Sequence, residues 1–122
     1  MPPWLKSPGK PTHHCQMDVI WLDGKTSKED LASRLDRVER LLKQYTDPPK
    51  PLPYRCANHV ADALGCLAKC LLDHADRALD AAEKEAAKTE PSHGRRRVTY
   101  TLHDLQRLVA SQRSSLTRQA GG

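Results

Sequence analysis

The sequence predicts an all-α fold: a helical hairpin with one long helix plus a short C-terminal helix, forming a dimeric helical bundle. Apolar residues recur at three- and four-residue steps in three stretches, and the nine prolines lie outside those stretches. Only 38% of the residues are hydrophobic and phenylalanine is absent, so the core of a monomer is thin. Self-association is therefore expected.

Residues 1–25 are rich in proline and polar side chains, which predicts a largely irregular N-terminal arm. An apolar run from Met17 to Leu22 interrupts the arm and is compatible with a short strand or with a segment that folds onto the helices. A single helical domain is predicted over residues 26–118. Residues 119–122 are predicted to form a frayed tail.

The first helix is predicted at about residues 28–45. Thr26 and Ser27 each precede an acidic residue by three positions, which is the spacing of a capping box that satisfies the free amides opening a helix. Leucine and valine side chains then recur on one face. The helix must end at the proline-rich segment 46–53, because proline lacks an amide proton and disfavours helical geometry in its predecessor.

Residues 55–88 contain no proline and are rich in alanine and leucine, which predicts one continuous helix about 50 Å long. Such a helix is too long for a compact monomer of this size unless it packs against the first helix and against a partner chain. Its apolar seam, the predicted contact with the core and with the second protomer, includes Val60, Leu64, Leu67 and Leu71.

A third helix is predicted at residues 102–118, after the pattern breaks between Thr89 and Gly94. Thr101 and Asp104 repeat the capping-box spacing at its start. Leucines and a valine line one side of this helix, and arginines project from the other.

Positive charge is concentrated near the C-terminus. The chain has 20 Lys and Arg against 15 Asp and Glu, a net charge of +5, and the stretch from Arg95 to Arg118 holds six arginines and one acid. A localised positive field favours a polyanionic partner such as nucleic acid. The Arg95–Arg97 run is compatible with a phosphate clamp, a nuclear-import signal or ordinary solvated charge.

Basic and small polar side chains form a flank along the predicted long helix, beside the seam. One interpretation is a surface that lies along a nucleic-acid duplex and neutralises its phosphates. The other is the solvated margin of a coiled coil, because aspartates occupy the adjacent strip. The candidate nucleic-acid-binding residues are Arg55, His59, Cys70, His74, Arg77, Lys84, Lys88, Arg95, Arg96, Arg97, Arg107 and Arg118.

Four residues have the ligand chemistry of a tetrahedral zinc site, and they are His14, Cys15, Cys56 and His59. The last two are one helical turn apart, but no second pair has a standard ligand spacing. Buried structural cysteines are the simpler interpretation, so no cofactor is expected.

The sequence lacks a nucleophile with a base and an orienting group, and it lacks a glycine-rich phosphate loop, which predicts that the protein is not an enzyme. No apolar run approaches the roughly 20 residues that cross a bilayer, and the N-terminus has no signal-peptide apolar region. We therefore expect a cytoplasmic protein with reduced thiols and no membrane contact.

The pattern Asn58-x-Val60-x-x-x-Leu64-x-x-Leu67-x-x-Cys70-Leu71 resembles the central helix of the small RNA-silencing suppressors of insect-infecting nodaviruses. Members of that family are helical homodimers that lie along double-stranded RNA without reading its sequence. The resemblance implies that Cys70 approaches the RNA backbone.

The chain departs from the family at two positions. Asp73 and Asp80 stand three and ten positions after Cys70, where the family has basic residues. Replacement cations would come from neighbouring helix positions, namely His74, Arg77 and Lys84.

These observations predict a homodimer that binds double-stranded RNA without sequence preference. The resemblance implies a viral suppressor of RNA silencing that shields RNA from processing nucleases in the host cytoplasm. The alternative is a helical oligomerisation or adaptor module that docks a host protein through its leucine seam. A zinc-assisted variant of either is the third hypothesis.

Overall fold

A computed structural model of the chain describes residues 19–88 and 100–120. These residues form four helices and no strand, which confirms the all-α prediction. The helices are α1 (Lys28–Lys43), α2 (Tyr54–Ala68), α3 (Leu72–Ala87) and α4 (Leu102–Ala120). The first 18 residues of the predicted arm and the Arg95–Arg97 run lie outside the described residues.

α1 begins at a side-chain cap. Ser27 Oγ accepts a hydrogen bond from the Asp30 N–H (3.0 Å), and acidic side chains occupy the first turn. The apolar face of the helix is fully buried at Leu31, Leu35 and Val38. α1 ends at Lys43, two residues before the predicted position 45, and the chain then crosses the proline-rich segment to α2.

The prediction of a single helix over residues 55–88 is wrong. The chain leaves α-helical geometry at residues 69–71 and reverses direction, so α2 and α3 form a hairpin. Glu85, near the end of α3, is close enough to Arg55 and Cys56 at the start of α2 to interact electrostatically with both. The two helices are therefore antiparallel neighbours, and the predicted rod is bent double.

A hydrogen-bonded cap ends α2. The Leu71 N–H donates to the Cys66 carbonyl (2.9 Å) and the Cys70 N–H donates to the Leu67 carbonyl (3.0 Å), which are the two bonds of a Schellman motif. The motif requires a left-handed residue, and Cys70 adopts a φ of 60° although it carries a side chain. Neither glycine nor proline marks this helix end, which is why the sequence pattern predicts a continuous helix.

The segment before α1 completes this cap. The Trp21 N–H donates to the Ala68 carbonyl (3.1 Å), and the Ile20 N–H donates to Ser115 Oγ on α4 (2.9 Å). The chain just before α1 thus bridges the end of α2 and α4. A distant segment satisfies a carbonyl that the helix break would otherwise leave without an intrahelical partner.

Small side chains allow α2 and α3 to pack closely. Both helices bury alanines, at Ala57, Ala61, Ala63 and Ala68 of α2 and at Ala75 and Ala82 of α3. Small residues at a helix contact permit a short interaxial distance. Reversal of the chain therefore buries within one molecule the alanines that a straight helix would present to a partner.

The leucine seam forms the core of a single chain. Val60, Leu64 and Leu67 are fully buried, and Gln112 Nε2 of α4 donates to the Leu64 carbonyl (2.8 Å). α1 packs mainly against α3 and α4. The predicted core role of these three seam residues is correct. In the single chain they are covered by helices of the same molecule, and their contact with a second protomer stays a prediction.

No helix in the described part of the chain is both long and apolar enough to cross a lipid bilayer.

Candidate nucleic-acid interface

Arginines of α1 hold acidic side chains of α3. Arg34 donates from Nε and Nη2 to the two carboxylate oxygens of Asp76, at 2.9 Å each. Arg37 donates to both carboxylate oxygens of Glu83 (2.9 and 2.8 Å) and to Asp80 (2.6 Å). The arginine hydrogen bonds lower the pKa of Asp76 and of Glu83 below their usual values. Three acids of α3 are therefore directed toward α1.

The outward surface of the α2–α3 hairpin carries cations. Helical periodicity places Arg77 and Lys84 on one strip of α3, and Lys88 follows them as the C-cap residue. Asp80 lies about 40–60° around the helix from these two cations, and Asp76 and Glu83 lie about 80–120° from them. Arg77, Lys84 and Lys88 are exposed, as are Arg55 of α2 and Lys69, the C-cap residue of α2. We call these five residues the hairpin face.

Acids on the outward side of the hairpin are fewer than these cations. Asp62 of α2 and Asp73 of α3 are exposed. Glu85 is half-buried, and its carboxylate accepts a hydrogen bond from Lys88 Nζ at 2.7 Å. The hairpin face is therefore net positive, because the other acids of α3 are paired with α1.

One arginine of α4 pairs with acids of α1, and two others are exposed. Arg113 donates to Glu39 of α1 (2.9 and 2.7 Å) and to Asp36, so it links α4 to α1. Arg107 and Arg118 are exposed and lie roughly a third of a helical turn or more around α4 from Arg113. Their positions leave them accessible to a ligand.

Cys70 does not reach the surface. Its side chain is turned inward, with Sγ donating to the Trp21 carbonyl at 3.1 Å, and the residue is only 7% exposed. The RNA contact that the family resemblance implies for this thiol is therefore wrong for this conformation. Of the two predicted histidines, His74 is exposed and His59 is half-buried on α2.

An apolar groove on the hairpin is a feature that the sequence did not predict. The groove measures about 860 Å³, and the small residues Ala61, Gly65 and Ala78 line it. Trp21, which is 66% exposed, and Leu71, which is 41% exposed, also line the groove. A segment that folds onto the helices is one of the two interpretations of the apolar run before α1. The sequence pattern does not show which side chains of that run stay exposed.

The zinc hypothesis gains no support from the described residues. Cys56 is fully buried, and burial raises the pKa of its thiol to about 11, which disfavours the thiolate that zinc requires. His14 and Cys15 lie outside the described residues. Within residues 19–88 and 100–118, no three His, Cys, Asp or Glu side chains are placed to hold a metal ion.

The described residues form a small all-helical bundle, and the outward surface of its α2–α3 hairpin is positively charged. Comparison of the chain with protein-family models, curated proteins and solved structures found no match.

Proposed function

We propose that the protein binds double-stranded RNA without sequence preference, as a non-catalytic module. The contact surface consists of the hairpin face and the exposed Arg107 and Arg118 of α4. The observation that carries this proposal is the pairing of Asp76, Asp80 and Glu83 of α3 with Arg34 and Arg37 of α1, while Arg77 and Lys84 on the neighbouring strip of α3 are exposed. Cations placed in this way neutralise phosphates and release counterions.

The shape and the side chains of the hairpin face favour contact with the phosphate backbone of a duplex over recognition of base edges. Arg77 and Lys88 are 11 positions apart, so the positively charged strip is about 16 Å long. Double-stranded RNA presents phosphates on either side of a shallow minor groove and is recognised largely by its shape and backbone. The hairpin face offers lysine and arginine side chains, which contact phosphates without reporting base identity.

The protective role rests on the family resemblance alone. A module that covers duplex RNA would shield it from processing nucleases in the host cytoplasm, as the nodavirus suppressors do. The resemblance spans residues 58–71, of which residues 69–71 leave the helix in this structure. Binding to duplex RNA therefore does not depend on the proposed suppression of silencing.

The adaptor hypothesis is less well supported. It requires an exposed leucine seam, but Val60, Leu64 and Leu67 are fully buried. Leu71 is the one exposed seam residue and lies in the apolar groove. Protein binding through the leucine seam is therefore not available to the folded chain, and RNA binding is the function that the surface favours.

Fluorescence anisotropy with two labelled RNA duplexes of equal length and different sequence tests the proposal. We expect both duplexes to bind equally, and we expect the logarithm of the affinity to fall linearly with the logarithm of the salt concentration. The double variant R77E/K84E should weaken binding by about tenfold or more and reduce the salt slope by about 2, because two phosphate contacts are lost.

The matched control is R40E/K43E, which reverses two exposed cations on α1. Arg34 and Arg37 are unsuitable controls, since they hold α3 in place. We expect the control to weaken binding much less than R77E/K84E does. Equal losses in the two variants, or no binding by the unmodified protein at low salt and micromolar concentration, would rule out the proposed surface.

A further inference from the structure

The connection between α2 and α3 holds a backbone conformation that its residues disfavour. Cys70 has a φ of 60°, a left-handed conformation in which the Cβ of an ordinary residue approaches the following carbonyl. Leu71, the N-cap of α3, provides no side-chain hydrogen bond to the free amides of that helix and is 41% exposed. The turn is thus short, strained and poorly capped on the α3 side.

The same residues are compatible with a continuous helix. Lys69, Cys70 and Leu71 include neither proline nor glycine, and lysine and leucine have high helix propensity. Straightening the connection would join α2 and α3 into one helix over residues 54–87. It would relieve the left-handed residue and give the first amides of α3 intrahelical partners.

The contacts that build the bundle run between the two halves of the chain that this connection joins. α1 and α2 belong to residues 19–68, and α3 and α4 belong to residues 72–120. Helix packing occurs mainly between the halves, with α2 against α3 and α4, and α1 against α3 and α4. The side-chain ion pairs of Arg34, Arg37 and Arg113 with other helices also connect one half to the other.

We propose that the protein has a second form, a dimer in which two chains straighten this connection and exchange their C-terminal halves. α3 and α4 of one chain then dock on α1 and α2 of the other through the contacts seen within the single chain. Because α2 and α3 are antiparallel in the hairpin, the two continuous helices run antiparallel past each other. The partner is a second copy, since the complementary charges and the apolar surface are those of the chain's own two halves.

The exchange has identifiable gains and losses. Each chain relieves one left-handed residue and gains the backbone hydrogen bonds of a continuous helix. Each chain loses the Trp21 N–H to Ala68 carbonyl bond and the Cys70 Sγ to Trp21 carbonyl contact. Strained short connections favour exchange because opening them releases the strain while the rest of the interface is kept. The exchange does not depend on RNA binding, and Lys69 is the one residue of the hairpin face that lies in the connection.

A matched pair of variants at position 70 tests the strain. C70A and C70G both remove the thiol, but alanine favours the continuous helix whereas glycine accepts the left-handed turn without cost. Light scattering coupled to size separation, after equilibration over a series of protein concentrations, measures the dimer fraction. We expect the association constant for dimer formation to be larger for C70A than for C70G by about tenfold or more. Equal constants, or a C70A protein that stays monomeric at its highest soluble concentration, would overturn the proposal.

A mixing experiment distinguishes exchange from ordinary association. One chain carries R34E and R37E, and the other carries D76R and E83R, so each chain alone has like charges between α1 and α3. In an exchanged heterodimer both α1–α3 contacts regain opposite charges. We expect the equimolar mixture to form a heterodimer that melts at a higher temperature than either component. A mixture that melts as its separate components do would contradict exchange, because chains associating without exchange keep their internal repulsion.

Discussion

Arg37 of α1 donates to both carboxylate oxygens of Glu83 on α3, at 2.9 and 2.8 Å. The same guanidinium group donates to Asp80 at 2.6 Å, so one arginine holds two acids of the neighbouring helix. A planar guanidinium matches a carboxylate through two parallel hydrogen bonds, which fixes orientation as well as proximity. This contact links α1 to α3 in addition to the buried apolar side chains of α1, and it directs Asp80 and Glu83 toward α1.

Replacement of Arg37 by methionine should destabilise the fold. Methionine keeps much of the aliphatic volume but leaves Glu83 and Asp80 without their guanidinium partner. Because the arginine side chain is 25% exposed and the acids are more exposed still, solvent screening limits the expected loss to about 1 kcal/mol. Urea denaturation at low salt measures this loss in the free energy of unfolding.

R40M is the matched control, since Arg40 is the next arginine of α1, is exposed, and acts on Glu83 more weakly than Arg37 does and without a hydrogen bond. Its replacement should change the free energy of unfolding by less than about 0.5 kcal/mol. The difference between the two variants should shrink in high salt. If R40M costs as much as R37M, the contact with Glu83 does not stabilise the bundle as the geometry indicates.

Acid should weaken the bundle through the same ion pairs. Hydrogen bonds from Arg34 and Arg37 lower the pKa of Asp76 and Glu83 from their ordinary values of 3.8 and 4.5. A carboxyl group whose pKa is lower in the folded state stabilises the fold above its unfolded pKa, and this contribution is lost as pH falls through the folded pKa. The free energy of unfolding should therefore be nearly constant from pH 7 to about 5 and decrease below about 4.5.

Urea titrations at several pH values measure this dependence. The R34M/R37M variant should show a shallower decrease below about pH 4.5, because its carboxyl groups titrate closer to their unfolded values. A variant that loses stability in acid as steeply as the unmodified protein would show that other groups control the transition.

The sequence predicts those features of the fold that depend on nearby residues. The start of α1 requires Ser27 Oγ and the Asp30 N–H, which are three positions apart, so its signal is local. The end of α2 instead depends on Trp21, whose N–H reaches the Ala68 carbonyl, and on the Schellman bonds around Cys70. A capping partner 47 positions away leaves no periodic pattern in the sequence, and therefore the pattern alone predicts a straight helix.

The candidate site likewise has some features that nearby residues determine and others that depend on contacts between distant residues. Helical periodicity correctly places Arg77 and Lys84 on an exposed strip of α3, because exposure follows from the position of the apolar residues. Periodicity does not reveal that Asp80 pairs with Arg37, since that contact requires α3 to fold back onto α1. The sequence therefore predicts the cations of the surface but overestimates the acids that compete with them.

The Ile20–Ser115 hydrogen bond joins the segment before α1 to α4. The Ile20 N–H donates to Ser115 Oγ at 2.9 Å, across 95 residues, and both residues are buried. S115A removes two buried hydrogen bonds, the one from Ile20 N–H and the one that Ser115 Oγ donates to the Gln112 carbonyl, at a cost of about 1–3 kcal/mol in the free energy of unfolding. S114A is the matched control, because Ser114 is the exposed neighbour on α4 and its replacement should cost less than about 0.5 kcal/mol.

The S115A effect should also be local. Hydrogen exchange measured by mass spectrometry should become faster in peptides that contain residues 20–22 and the end of α2, since the segment before α1 caps that helix through Trp21. Peptides from α1 should change less, because Ser27 and Asp30 cap that helix independently. Unchanged exchange at the end of α2, together with equal stability of S115A and S114A, would show that this buried bond does not hold the segment against the bundle.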